Sequence, residues 1–177
     1  GSTGLLFFLA NGATNVFCDG LKYVQKNLVE YKVSVFVCVP LLIESMYKKI
    51  MQEVERQGKT KLIKVATVVS NFLLKFGIDI RRKLFKEIHD NLGGKVRIFV
   101  AGGAALDPVA QRGFNELGIE LVQGYGLTET APIAALTPEY RPMIGSAGKA
   151  VVGTDIKVEN PNENGEGDLL IKGPTVM

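Results

Sequence analysis

The sequence predicts an α/β fold: a mostly parallel sheet with flanking helices, followed by the start of a small β unit. Three observations carry that expectation. Short β-branched runs at residues 33–39, 96–100 and 119–122 alternate with stretches whose apolar residues recur at helical spacing. The runs are nearly continuous in apolar character, as strands buried on both faces require. From about Ile133 onward, prolines at 132, 138, 142 and 161 and glycines at 145, 148, 153, 165 and 167 leave no room for a long helix.

The elements follow in order. Residues 14–17 read as a short strand, and Asp19-Gly20 as a turn into a helix marked by Leu21, Val24, Leu28 and Tyr31. After the 33–39 strand, Pro40 opens a strongly amphipathic helix with Ile43, Tyr47, Ile50 and Val54 on its inner stripe, closed by Gly58. Residues 61–92 are helical in two pieces divided at Gly77. Leu62, Val65, Val69 and Phe72 or Leu73 form the buried stripe of the first piece. Asp79 caps the second, whose stripe is Ile80, Leu84, Ile88 and Leu92. Gly93-Gly94 leads into the 96–100 strand, and Asp107-Pro108 starts a helix with Val109, Phe114 and Leu117 inward and Gly118 as its stop. Residues 154–159 and 168–171 then read as strands around an Asn164-Gly165 turn. The expected division is an α/β subdomain over 1–138 and a truncated β-rich subdomain over 139–177.

With 177 residues, 46% hydrophobic and 22% charged, the chain has ordinary globular composition and one sizeable core. A net charge of +3 without interleaved aromatics gives no reason to expect a nucleic-acid partner. Cys18 and Cys38 lie in apolar runs without metal-ligand spacing and read as reduced, buried thiols, which fits a cytoplasmic protein. No apolar stretch has the length of a membrane span, and 5–10 lacks the basic flank of a signal peptide. The cluster Arg81, Arg82, Lys83 and Lys86 reads as a solvated helix face rather than a phosphate or lipid contact. His89 has no acid or nucleophile pattern beside it, so a surface or half-buried role is expected.

Chemistry concentrates at residues 124–130, Gly-Tyr-Gly-Leu-Thr-Glu-Thr, directly after the 119–122 run. Glycines around an aromatic let backbone pass close beneath a flat ring, while the Thr128 hydroxyl and Glu129 carboxylate suit phosphate oxygens and a divalent cation. Ala101-Gly102-Gly103-Ala104-Ala105-Leu106 follows the preceding strand, where an α/β fold places ligands. Each motif alone would more often mark a tight turn, and Thr128-Glu129-Thr130 also suits a helix start. Their positions after consecutive strands favour one nucleotide site. Residues 145–149 hint at a phosphate loop but carry Ala150 where Ser or Thr is needed, and residues 1–4 read as an exposed end.

Taken together, these residues resemble the AMP-forming acyl-CoA synthetases of the adenylate-forming superfamily. Residues 124–130 match the family's most diagnostic motif residue for residue, and 101–106 resembles its adenine loop. Residues 35–47 look like the segment lining the acyl pocket, 145–148 like a Gly-Ser-hydrophobic-Gly segment, and 167–174 like a Gly-Glu-Leu strand with Asp168 for glutamate. The helical insertion at 60–92 looks most like the long-chain fatty acid–CoA ligases. The resemblance implies ATP, Mg²⁺ and coenzyme A, with a carboxylic acid activated as acyl-AMP and transferred to the thiol. It implies that Tyr125 lies against adenine with Gly102, Gly103 and Ala104 as a close wall. Thr128 would donate to the α-phosphate, Glu129 would hold Mg²⁺, and Gly124 and Gly126 would admit the acyl carboxylate. Gln123 and Leu127 complete the implied nucleotide contacts, and Thr128 and Glu129 are the implied catalytic pair.

The family's Ser/Thr/Gly-rich phosphate loop, ribose-binding aspartate and carboxy-terminal catalytic lysine have no counterpart in these 177 residues. The resemblance thus implies a central piece of a longer enzyme, needing amino- and carboxy-terminal portions of the same polypeptide and inactive without them. Its partners would be small molecules, with peripheral membrane contact left open. Other readings are a peptide-synthetase adenylation or aryl-acid ligase domain, a stand-alone nucleotide-binding module, or a scaffold with glycine turns.

Overall fold

The computed structural model describes residues 3–138 and 143–177. Gly1, Ser2, Pro142 and the expected boundary at 138/139 lie outside them. In chain order the α-helices are α1 (Phe8–Ala10), α2 (Val24–Glu30), α3 (Pro40–Arg56), α4 (Thr60–Leu74), α5 (Arg81–Leu84), α6 (Lys86–Asn91) and α7 (Pro108–Glu116). The strands are β1 (Val35–Cys38), β2 (Ile98–Ala101), β3 (Glu120–Tyr125), β4 (Ala135–Leu136), β5 (Lys149–Ala150), β6 (Asp155–Glu159) and β7 (Asp168–Lys172). The class is α/β as expected, with a mixed sheet in the order β1-β2-β3-β4-β5 and a separate β6-β7 hairpin. Two compact units divide the chain: Val16–Leu121, and Gly1–Asn15 with Val122–Met177.

In the unit Val16–Leu121, β1 and β2 pair in parallel with Val35 opposite Ile98 and Cys38 opposite Ala101. The first residue of β3 joins beside β2 through Glu120 N–H donating to Arg97 O at 2.9 Å. The helices bury one face each around Phe99, Phe114, Ile43, Ile119 and Leu28, all fully buried. Phe114 meets Phe99 edge-on at 5.0 Å between ring centroids and Tyr47 at 5.5 Å. Each such side chain contributes about 1.5–3 kcal/mol by leaving water. Asp107 caps α7 as expected, accepting the Val109 N–H at 2.9 Å, and its own N–H donates to Glu44 at 3.0 Å.

Several expected elements differ, each for an identifiable reason. Residues 14–17 form no strand: Val16 and Phe17 are exposed, and a reciprocal Asp19–Asn27 pair at 2.9 and 3.1 Å bends the chain straight into the helical turn. Leu21 and Tyr31 are also exposed, leaving Val24 and Leu28 as the buried face of α2. The β1 strand packs Phe36 and Cys38 against the core, while Val37, on the opposite face, is exposed. The inner face of α4 is Ile63, Ala66 and Ser70, and the expected stripe Leu62, Val65, Val69 and Phe72 faces out. The second piece of the 61–92 region breaks at Phe85, which is buried with Ile88 and Leu92 while Leu84 is exposed. Val109 is exposed as well; Ala110, Phe114 and Leu117 give α7 its buried spacing of four and three.

Polar expectations shift too. His89 is buried, not at the surface, its Nε2 2.8 Å from Leu117 O. The basic cluster is partly structural: Arg81 forks onto Asp79 at 2.6 and 2.9 Å, and Arg82 donates to Val96 O and Gly94 O at 2.9 and 3.0 Å. Arg82 thus ties its helix to the strand entry and Arg81 also donates to Asn115 O in α7 at 2.7 Å, uses that a run of basic residues does not announce. Cys18 is exposed rather than buried, whereas Cys38 is half-buried and burial pushes its thiol up to about 12.

The other unit carries β3 from Val122 onward, antiparallel to β4, and β4 antiparallel to β5. The β6-β7 hairpin pairs Asp155 with Lys172 and Glu159 with Asp168. Its connection is longer than a two-residue Asn-Gly turn. Asn162 Oδ1 accepts from Asn164 N–H and Glu166 N–H at 2.9 and 3.0 Å and so organises the loop that contains Gly165.

Candidate functional site

The adenine-loop candidate lies beyond the carboxyl end of β2. Ala101 and Leu106 are buried and anchor its two ends, while Gly103, Ala104 and Ala105 are exposed between them. Gly102 extends the ladder past the strand, its N–H reaching Cys38 O at 3.4 Å, and Gly103 turns with φ +89°. A short run of small residues thus presents open backbone at a strand end, the geometry that lets a flat ring approach.

The second candidate belongs to the other unit, and its first half is strand rather than turn. Gly124 and Tyr125 belong to β3, opposite Leu136 and Ala135. Thr137 holds the strand from the side: its N–H donates to Gln123 O at 2.9 Å, and its buried hydroxyl lies 3.1 Å from the same oxygen and 3.2 Å from Ser146 O. Ser146 in turn accepts the Gly148 N–H at 3.0 Å, so the 145–148 segment is tied to this strand through Thr137.

After Tyr125 the chain leaves the sheet, and residues Thr128–Thr130 form a single 3-10 turn. Thr130 is the anchor. Its buried hydroxyl accepts the Leu127 N–H at 2.9 Å and donates to Leu127 O at 3.0 Å. That closed local pair leaves Gly126, Leu127, Thr128 and Glu129 exposed in a row, with Gln123, Gly124 and Tyr125 half-buried behind them. The backbone of Glu129 is fixed as well, its carbonyl accepting Met177 N–H at 3.0 Å. Sequence reasoning named Thr130 only as part of the motif. A Thr three residues after Leu127 carries a side-chain-to-backbone signal that would have marked it as the anchor. Thr137 had no comparable local signal.

No hydrogen bond or ion pair engages the Glu129 carboxylate among the described residues. Nor do three His, Cys, Asp or Glu side chains converge on any one point among them. One free, exposed carboxylate fits a cation held chiefly by substrate phosphates and water, the mode Mg²⁺ favours over an all-protein cage.

The structure also alters the reason for one glycine. A Cβ on Gly126 would overlap the Pro132 carbonyl oxygen and stand 2.7 Å from its carbon and 2.9 Å from Ile133 Cα. Gly126 is therefore required by the chain's own return path, before any substrate carboxylate is considered. A separate cavity of about 750 Å³ opens between α2, α3, α4 and α6, with Leu42, Ser45 and Met46 among its lining. Those three come from the 35–47 segment that the resemblance links to the acyl pocket.

The model of the AMP-binding enzyme family matches residues 1–177, and the chain belongs to that family. Among curated proteins, it is 23% identical to the chloroplastic long-chain-fatty-acid–[acyl-carrier-protein] ligase AEE15 of Arabidopsis thaliana, across 97% of this chain and 30% of that one. It is 27% identical to mouse (Mus musculus) long-chain-fatty-acid–CoA ligase 5, across 97% of this chain and 27% of the relative. The chain therefore spans less than a third of the length of these relatives. In fold it matches the crystal structure of the anthranilate CoA ligase AuaEII in complex with anthranoyl-AMP. There the TM-score is 0.62 and the identity 18%, covering 93% of this chain and 27% of that one.

Proposed function

We propose that the protein containing this chain is an AMP-forming acid–CoA ligase whose acid is a long-chain fatty acid. The observation that carries the reading is the turn at residues 126–129: Thr130 locks it from within, and the Thr128 hydroxyl and an unengaged Glu129 carboxylate stand exposed side by side. Membership of the AMP-binding enzyme family supports the chemistry, and the curated relatives support a fatty acid as the substrate.

In the proposed reaction a carboxylate oxygen attacks the α-phosphorus of ATP and pyrophosphate leaves. The coenzyme A thiol then attacks the acyl carbon and AMP leaves. Two anions must meet in the first step, so alignment and charge neutralisation dominate its barrier. Thr128 donates a hydrogen bond from its hydroxyl to an α-phosphate oxygen, where charge builds. Glu129 would hold a Mg²⁺ ion, which when bound would offset the charge of the phosphates. Tyr125 offers its ring face to adenine. Gln123, Gly124 and Leu127 frame the approach along β3 and its exit.

Pyrophosphate exchange and thioester formation by the intact protein, over a panel of long-chain, aryl and amino acids, test the proposal. Long-chain acids should give the highest kcat/KM, and Glu129→Gln should lower it by about 100-fold while raising the Mg²⁺ requirement. Preference for an amino or aryl acid refutes the fatty-acid assignment. An unchanged Glu129→Gln enzyme refutes the role of the turn.

A further inference from the structure

The helix α4 turns most of its apolar surface away from the core. Its inward positions, Ile63, Ala66 and Ser70, are small or few, and Ser70 spends its hydroxyl on Thr67 O at 3.0 Å. Leu62, Val65, Val69 and Phe72 form a continuous stripe that Phe76 extends just beyond the helix, at spacings of three and four residues. They are 64, 61, 45, 59 and 69% exposed. The Phe72 and Phe76 rings already pack against each other at 5.3 Å. An apolar stripe of this length on one element is more than scattered surface hydrophobics supply.

Charge selects the occupant. At 100° per residue, Lys61, Lys64 and Lys75 fall along one edge of the stripe. All three are exposed and form no ion pair among the described residues, whereas Lys59 is answered by Glu87 at 2.7 Å. No acidic residue occurs from Arg56 to Ile78. A second copy docking on this stripe would bring lysines to lysines with no carboxylate to answer them. An anionic surface meets both features. Leu62 also borders the cavity between α2, α3, α4 and α6, but from Val65 to Phe72 the stripe is the side of a single helix, and α4 has 15 residues, too few to cross a bilayer. Lysine stems bordering an apolar helix face suit the boundary between headgroups and acyl chains.

We propose that α4 lies in the plane of a membrane surface bearing anionic lipid, with Leu62, Val65, Val69, Phe72 and Phe76 inserted and Lys61, Lys64 and Lys75 at the headgroups. The proposal stands apart from the ligase reading, because vesicle binding is measured without turnover. The test is flotation of the intact protein with vesicles of phosphatidylcholine alone or mixed with phosphatidylglycerol. Binding should require phosphatidylglycerol. Lys61→Gln/Lys64→Gln/Lys75→Gln should weaken it by about 100-fold, at about five-fold per lysine. Leu62→Gln/Phe72→Gln/Phe76→Gln should abolish it. The lysine variant alters only exposed side chains, so it decides the matter even if the apolar variant misfolds. Absence of wild-type binding, indifference to phosphatidylglycerol, or undiminished binding by the lysine variant overturns the proposal. So does a wild-type dimer, seen by light scattering without vesicles, that Phe72→Gln makes monomeric.

Discussion

Replacing Gly126 with alanine separates two reasons for a glycine in the 124–130 motif. If the residue only leaves room for a substrate, Gly126→Ala folds normally and fails at binding. The structure gives the other answer. The new Cβ would overlap the Pro132 carbonyl oxygen outright and stand 2.7 Å from its carbon, so the 132–133 backbone must retreat by well over the ~0.7 Å that the carbon contact alone demands. Ala134 N–H donates to Tyr125 O at 2.9 Å just beyond that point. A retreat of that size breaks this bond. Overpacking costs about 1–3 kcal/mol and the lost hydrogen bond about 0.5–1.5. A total near 2–4 kcal/mol corresponds to a fall in Tm of roughly 4 to 16 °C for a chain this size. Thermal unfolding without ligand measures it, and amide exchange at Ala134 should accelerate. A melting curve unchanged from wild type, with Ala134 equally protected, would refute the reasoning and return Gly126 to a purely substrate-facing role.

Two further perturbations test neighbouring parts of the account. Thr130→Val keeps the shape and removes the hydroxyl that holds Leu127 at 2.9 and 3.0 Å. It should cost about 1–2 kcal/mol in urea unfolding and raise KM for ATP more than it lowers kcat, because the turn that presents Thr128 and Glu129 loosens; equal stability and KM would show that the anchor is unnecessary. His89 has its pKa held below the ordinary value of about 6.5, chiefly by burial, then by the nearby Arg82 and Arg81 cations, against the opposing Leu117 carbonyl and Asp90. The folded state favours neutral imidazole, so the stability it supports is complete above the unfolded pKa and lost as pH falls through the folded one. His89→Gln should flatten that acid-side slope in denaturation at stepped pH, and an identical slope would assign it to other groups.

How much of this was legible in the sequence depended on whether a residue's partner lay nearby in the chain. The α3 stripe of Ile43, Tyr47, Ile50 and Val54 was readable because seventeen residues give a periodic pattern several chances to repeat. The Asp107-Pro108 start was readable because a cap is a local bond. The periodicity of α4 was real, but periodicity identifies an apolar face without saying what covers it. The strand assigned at 14–17 failed because Asp19 and Asn27, eight residues apart, decide the path of the chain there. At the candidate site the exposed members, Thr128 and Glu129, were legible as chemistry. Thr137, which lies fourteen residues beyond Gln123, was not, since nothing local couples the two.

The 124–130 motif is therefore best understood as one constraint with two faces. Gly124 and Tyr125 must keep extended strand geometry to pair with Leu136 and Ala135. Gly126 must lack a side chain to pass Pro132, and Thr130 must close on Leu127. Those demands are met without Thr128 or Glu129, whose side chains make no bonds among the described residues. Freedom to vary them without loss of fold is what a chemical role predicts, because residues that stabilise nothing in the free protein are available to a ligand. Stability measurements and turnover should accordingly divide the motif, with Gly126 and Thr130 variants moving both and Glu129→Gln moving turnover alone.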